Sequence, residues 1–217
     1  FHPALDSFSH FRAHLAVLLA LVALPLAFTA AQMQAIVALI FSAAAFATTV
    51  GALPLPLLSP VHAGFAAASG DRATYRLLQM NLRYDNPTPE KVLSLIGRTQ
   101  PDVIALAEVS DLWKEKLGLV SSAYPHRILC SDPYIGMGVA ILSRRPFAAG
   151  SEPRCYDRGT FAIATVDFAG TPVDVAAIHM GWPWPFAQQW QVGAMTTSLQ
   201  QLGPTALLAG DCNAAPW

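Results

Sequence analysis

Five polar side chains stand where short apolar runs end: Asn81 closes YRLLQMN, Glu108 follows PDVIALA, His179 closes VDVAAIH, and Asp211 and Asn213 follow ALLAG. Glu108 and Asp211 are carboxylates, Asn81 and Asn213 carboxamides, and His179 adds an imidazole. Hard oxygen donors of this kind suit Mg2+, with Mn2+ as the alternative, and the lack of a Cys/His cluster argues against zinc. A divalent cation beside His and Asn donors is what phosphoryl chemistry needs, because negative charge accumulates on the phosphate in the transition state. Each residue alone has a plainer reading, since Asp and Asn past a strand are commonly turn formers.

The elements that must position these residues read as an α/β domain. YRLLQMN is a strand ending at Asn81; Thr88 as cap with Pro89 at the first helical position opens a helix to about Arg98. Val103 to Ala107 is apolar on both faces and delivers Glu108 at its carboxyl end. Strand, helix, strand in this order predicts a parallel pair. Ser110 opens a short helix to about Leu119, and His126 to Cys130 and Gly138 to about Ser143 are further strands. Phe161 to Phe168 and Val173 to His179 flank AGTP, a hairpin signal. Residues 186 to 202 carry Val192, Met195, Leu199 and Leu202 at helical spacing, and the last strand ends at Gly210. Sites of open α/β sheets lie at the carboxyl ends of strands, where all five residues fall.

Charge is distributed unevenly. The 217 residues include 13 Lys plus Arg against 14 Asp plus Glu, for a formal net charge of −1. From Leu15 through Gly70 there is no charged side chain at all. Near neutrality excludes a strongly basic nucleic-acid scaffold and an acidic tail, and it sets nucleic acid below other phosphate esters as a partner. The uncharged stretch holds two apolar segments, His14 to Ala31 and Ile36 to Leu55, joined by AQMQ. At about 20 apolar residues each, they predict a transmembrane helical hairpin over 1–56, followed by a Pro- and Ala-rich linker over 57–73. A cleaved signal peptide is the competing reading of the first segment, and the second apolar segment directly behind it weighs against that. Arg12 before the pair and Arg72 and Arg76 after it leave the positive-inside rule nearly balanced.

The strings LLQMNLRYDNPTPEKVLSLIGRTQPDVIALAEV, GMGVAILSRRP, AAIHMGWPWP and ALLAGDCNAAPW together resemble the endonuclease/exonuclease/phosphatase superfamily, in family order and spacing. The hairpin before them resembles its membrane-anchored bacterial branch. The resemblance implies a four-layer α/β/β/α sandwich over 74–217, incomplete at its carboxyl end, and a Mg2+-dependent phosphoric ester hydrolase. Glu108 and Asn81 match the residues that bind or orient the metal, and His179 the histidine set against the scissile phosphate. Asp211 matches the carboxylate that orients the attacking water, and Asn213 the amide that holds a phosphate oxygen. Tyr134 and Arg144 are carried as substrate contacts, against plainer readings as a loop aromatic and a solvated turn. The superfamily's later aspartate and terminal Asp-His pair have no counterpart here, so the chain by itself is expected to be inactive. Cys212 stands where the family commonly has Phe, and Ala107 where many members have Gln.

Anchoring and the three tryptophans Trp182, Trp184 and Trp190 favour a phosphorylated small molecule or a lipid-linked substrate at the bilayer, with an endonuclease or a non-catalytic binding protein as alternatives. The branch resembled implies a multi-pass protein of the bacterial inner membrane, its catalytic domain extracytoplasmic, with one more helix upstream of Phe1. Cys130 and Cys155 would pair in an oxidising compartment, leaving Cys212 free.

Overall fold

The computed structural model describes residues 3–49, 73–185 and 188–214. The chain divides into a helical unit and an α/β unit. All of the expected linker except Ala73 lies outside the described residues.

The helical unit contains α1 (Pro3–Ser9), α2 (Arg12–Leu26) and α3 (Gln32–Thr49). Helices α2 and α3 pack antiparallel: Ser42 Oγ donates to the Ala16 carbonyl at 2.6 Å, and Arg12 Nη2 donates to Thr48 Oγ1 at 2.6 Å. The buried positions are Ala16, Ala23, Ala35 and Ser42, whereas Leu21, Phe28, Ile40 and Phe41 are exposed. Small residues therefore line the seam and large apolar ones face outward, the reverse of a water-soluble helix pair. Only α3, at 18 residues, is long and apolar enough to cross a membrane among the described helices. The expected first span is shorter than the sequence suggests, since α2 stops one residue after Pro25. Its 15 residues reach about 22 Å, against roughly 30 Å of hydrocarbon. The turn also lies earlier than AQMQ. Thr29 Oγ1 donates to the Leu26 carbonyl and accepts from the Ala31 N–H, so Gln32 and Gln34 enter α3. Trp182 and Trp184 group with this unit: Ser7 Oγ donates to the Trp184 carbonyl at 2.8 Å, and His10 lies 4.7 Å from the Trp182 ring.

The α/β unit has two four-stranded sheets. The first is built from β1 (Leu77–Asn81), β2 (Val103–Ala107), β3 (His126–Leu129) and β4 (Ala140–Ser143), in the order β1-β2-β4-β3. Helices α4 (Pro89–Thr99) and α5 (Asp111–Gly118) cover it. The second runs β5-β6-β7-β8, from β5 (Arg154–Tyr156), β6 (Phe161–Phe168), β7 (Thr171–His179) and β8 (Ala206–Asp211), covered by α6 (Gln188–Leu199). Each sheet contains one parallel pair, β1 with β2 and β7 with β8.

Alternation along the strands sorts the core into layers. Ile104 and Leu106 of β2 face α4 and α5 with Val92, Ile96 and Trp113. Val103 and Ala105 face the other sheet, meeting Ala162, Ala164, Val166, Val175 and Ala177. Phe161, Ile163 and Ile178 pack under Met195 of α6. Small alanines fill much of the intersheet layer, so the sheets approach closely. A disulfide between Cys130 and Cys155 joins the sheets, with Cα atoms 5.7 Å apart. Near it, a Cβ on Gly138 would collide with the Cys130 carbonyl, and one on Gly159 with the Ser131 backbone.

Local structure departs from the sequence reading at several points. Ser110 occupies the N-cap position of α5 without a capping bond; its hydroxyl donates to the Tyr84 carbonyl instead. The hairpin β6–β7 turns on Ala169 and Gly170 alone, both at positive φ, so Thr171 and Pro172 belong to β7. The three-residue edge strand β5 was not foreseen.

Candidate metal centre

The registers of the two parallel pairs bring their carboxyl ends into line. Asn81 is paired with Ala107, directly before Glu108, and His179 is paired with Asp211. The ligand atoms of Glu108, His179 and Asp211 all lie within 4.8 Å of one another. His179 Nε2 is 3.8 Å from Glu108 Oε1, both side chains being mostly shielded from solvent.

Each carboxylate is held on both oxygens by separate partners. Asn81 Nδ2 donates to Glu108 Oε1 at 2.8 Å and to Asp211 Oδ2 at 2.7 Å, bridging the sheets. The main-chain N–H of Tyr84 donates to Glu108 Oε2, and that of Asn213 to Asp211 Oδ1. The loop carrying Tyr84 is itself fixed by Ser110 and by the Trp113 indole, which donates to the Arg83 carbonyl. Glu108 has φ +57, a left-handed backbone that is costly without glycine and that turns its side chain off the end of β2. Asn213, also left-handed, donates from Nδ2 to the Met180 carbonyl at 2.7 Å and lies 3.5 Å from His179 Nε2.

Two carboxylates converging on one point supply the hard oxygen donors that fit Mg2+ or Mn2+, with the His179 imidazole beside them. In this arrangement Asn81 turns its N–H groups to both carboxylates and its Oδ1 to the Arg83 N–H. These bonds hold both carboxylates in place. Arg83, the cation nearest in sequence, is engaged with Asp85 at 2.7 Å, an ion pair that holds the Asp85 carboxyl below its usual range. Cys212 is exposed, and desolvation followed by the Asp211 charge pushes its thiol up, away from nucleophile or ligand chemistry.

Of the remaining expected contacts, Tyr134 lies in the loop after β3, at the end of the first sheet that carries Glu108. Its ring faces the Arg158 guanidinium at 5.7 Å. Arg144 is not brought to the cluster. It follows β4, which runs antiparallel to β2 and ends opposite Val103, and it donates to the Gln100 carbonyl at the far end of the sheet. Gln191 was not singled out. Its Nε2 donates to the His179 carbonyl at 3.2 Å and to Thr160 Oγ1 at 3.1 Å, and its Oε1 accepts from Gly181 N–H at 2.9 Å. The only trace in sequence is Gln188 and Gln191 one helical turn apart, shortly after His179.

Similarity to solved structures follows the same fold. The chain is similar to a humanized D. rerio TDP2 (TM-score 0.53, 20% identity, 65% of this chain and 67% of that one) and to D. rerio TDP2 complexed with single strand DNA product (0.53, 20%, 65% and 61%). It is also similar to an endonuclease/exonuclease/phosphatase from Beutenbergia cavernae DSM 12333 (0.51, 22%, 65% and 48%). The chain thus spans about half to two thirds of the length of these proteins. No curated protein matches it. The ranking of nucleic acid below lipid-linked and small phosphate esters is corrected by these neighbours, one of which holds a DNA strand. Overall charge does not decide this ranking, because a divalent cation at such a site is itself the largest local charge and meets a phosphate without a basic patch. The endonuclease/exonuclease/phosphatase family model matches residues 78–217, which covers both sheets and the whole cluster, and the chain belongs to that family.

Proposed function

We propose that this chain carries the metal centre of a divalent-metal-dependent phosphodiesterase that acts on a nucleic-acid strand. The observation that carries the reading is the convergence of Glu108, His179 and Asp211 from two sheets, bridged by Asn81. The DNA-bound TDP2 neighbour supports the substrate class.

Glu108 and Asp211 would hold Mg2+ or Mn2+, with His179 beside them. When bound, the ion would offset the negative charge that grows on the phosphate oxygens. His179 Nε2 points at the same space and, carrying its N–H, donates to a phosphate oxygen. Asn213, fixed through Met180, presents its amide beside that imidazole. Asp211, held by the Asn213 N–H, accepts a hydrogen bond from the attacking water and sets its line of approach. Asn81 keeps both carboxylates in place.

The helical pair is proposed as a membrane anchor, supported by its outward large apolar residues and by the length of α3. The disulfide favours an oxidising compartment for the α/β unit, on the outer side of that membrane. The domain limits 1–56, 57–73 and 74–217 belong to the same proposal.

Because the chain spans part of the length of its relatives, metal binding, which its own residues supply, is tested before turnover. Titration of the detergent-solubilised chain with Mn2+, followed by electron paramagnetic resonance, is expected to show a site that Asp211→Asn removes. Hydrolysis of a single-stranded oligonucleotide in Mg2+, compared with a phosphomonoester, then tests the reaction. Unchanged Mn2+ binding in Asp211→Asn would overturn the assignment of the centre.

A further inference from the structure

Beside the metal centre the α/β unit has a second concavity, a groove of about 350 Å³ whose lining includes Asp132, Asp157, Arg158, Trp190 and Gln191. Its wall is continuous with the main chain of His179. Thr160, also in the lining, accepts the His179 N–H at 2.8 Å, and Gln191 donates to the His179 carbonyl at 3.2 Å. The groove and the cluster therefore share the end of β7 that carries His179.

Two flat surfaces border the groove. The Trp190 indole is 73% exposed, although it belongs to a helix that packs on the second sheet. The Arg158 guanidinium is stacked over the Tyr134 ring, which is 82% exposed. Exposed aromatic and guanidinium planes are the surfaces on which nucleobases stack. Arg158 is held there by an unusual backbone: Asp157 and Arg158 are consecutive left-handed residues at φ +46 and +51. The following Gly159, at φ +85, sits against the Ser131 backbone with no room for a Cβ.

Charge decides between a base and a second phosphate. Among the described residues of the lining, Arg158 is the one cation against the carboxylates of Asp132 and Asp157. Among the described residues no cation donates to either acid: Asp132 Oδ1 accepts from Tyr134 and Ile135 N–H, and Asp157 Oδ2 from Thr160 Oγ1. A groove that is negative on balance repels a further phosphate. It suits an uncharged, planar, hydrogen-bonding group.

We propose that this groove binds the nucleobase of the nucleotide whose phosphate occupies the metal centre, stacking it against Trp190 and beside the Arg158–Tyr134 pair. The inference rests on the nucleic-acid phosphodiesterase reading and adds to it a subsite that selects a single, unpaired base. Recognition through ring faces predicts tolerance of base identity and rejection of abasic ends.

The test uses the full chain in detergent micelles, with the indole N–H of Trp190 followed by nitrogen-15 NMR and assigned with Trp190→Phe. Thymidine 5′-monophosphate is expected to shift that resonance at millimolar concentration, and 2-deoxyribose 5-phosphate to leave it in place. Trp190→Ala should weaken thymidine 5′-monophosphate binding about tenfold while Mn2+ affinity at the cluster stays unchanged, and Arg158→Ala should weaken it in the same sense. An equal response to the sugar phosphate would assign the groove to phosphate and overturn the proposal, as would no response of Trp190 to the nucleotide. Loss of Mn2+ binding with the nucleotide response intact would fault the metal reading and still support the groove.

Discussion

The two sheets deliver their site residues by the same device, a parallel strand pair ending side by side, yet they hold them differently. In the first sheet β2 is buried along its whole length, and Glu108 is fixed by Tyr84 and Asn81, residues 24 and 27 positions away. In the second sheet β8 is largely exposed at its start, Leu207 and Leu208 included, and the N–H that fixes Asp211 comes from Asn213, two residues on. Long-range contacts make the Glu108 side a fixed reference, because moving it disturbs the core. Local contacts let the Asp211 side follow. Asn81, bonded to both carboxylates, transmits the first position to the second.

Glu108→Gln tests the fixed side most directly. Removing one charge and keeping the shape should lower Mn2+ affinity at least about a hundredfold, read by titration. Folding stability separates the sheets next: Leu106→Ala, in the core under α4 and α5, should cost about 3 kcal/mol in denaturant unfolding. Leu208→Ala, half exposed, should cost less than about 1 kcal/mol. Equal losses would erase the contrast. Replacing both Cys130 and Cys155 by Ala, which opens a link spanning 25 residues, should cost about 3 kcal/mol in the same measurement. Asn81→Ala should weaken Mn2+ binding about tenfold, and Asn213→Ala less, since Asp211 is reached by a main-chain N–H that alanine keeps.

The smallest effect concerns alkaline pH. Burial raises the Tyr124 phenol above its ordinary value, with the Arg144 charge opposing, and its hydroxyl donates to the Pro101 carbonyl. The folded state then binds the proton more tightly than the unfolded one. The stabilisation is whole below pH of about 10 and is lost as pH rises above it. Unfolding midpoints measured across that range should fall more steeply for the native chain than for Tyr124→Phe.

Much of the site was legible because its residues follow apolar runs. Glu108, His179 and Asp211 needed only the strand ends, and the parallel register supplied the rest. Arg144 shows the limit of that reasoning. It also follows a strand, but β4 runs against β2, and strand direction leaves no mark in a single sequence. Residues β5 contributes were missed because three residues at an edge give no periodicity to read. The length of α2 was overread, since apolarity continues past Pro25 while the helix does not. Gln191 acts through main-chain atoms of His179 and Gly181, partners that only the folded chain assembles.

Gly210 gives the Gly-Asp pair at the end of β8 a meaning separate from its chemistry. A Cβ at this position would run into the Ile178 carbonyl on β7, so the glycine sets how near the two strands lie one step before His179 and Asp211. Any larger residue would act as a wedge between them. The acid would then be displaced from the imidazole while every candidate ligand remained in the sequence. Half of what reads as a catalytic signature is, in this sense, a spacing requirement, and a variant there would be mistaken for a chemical one.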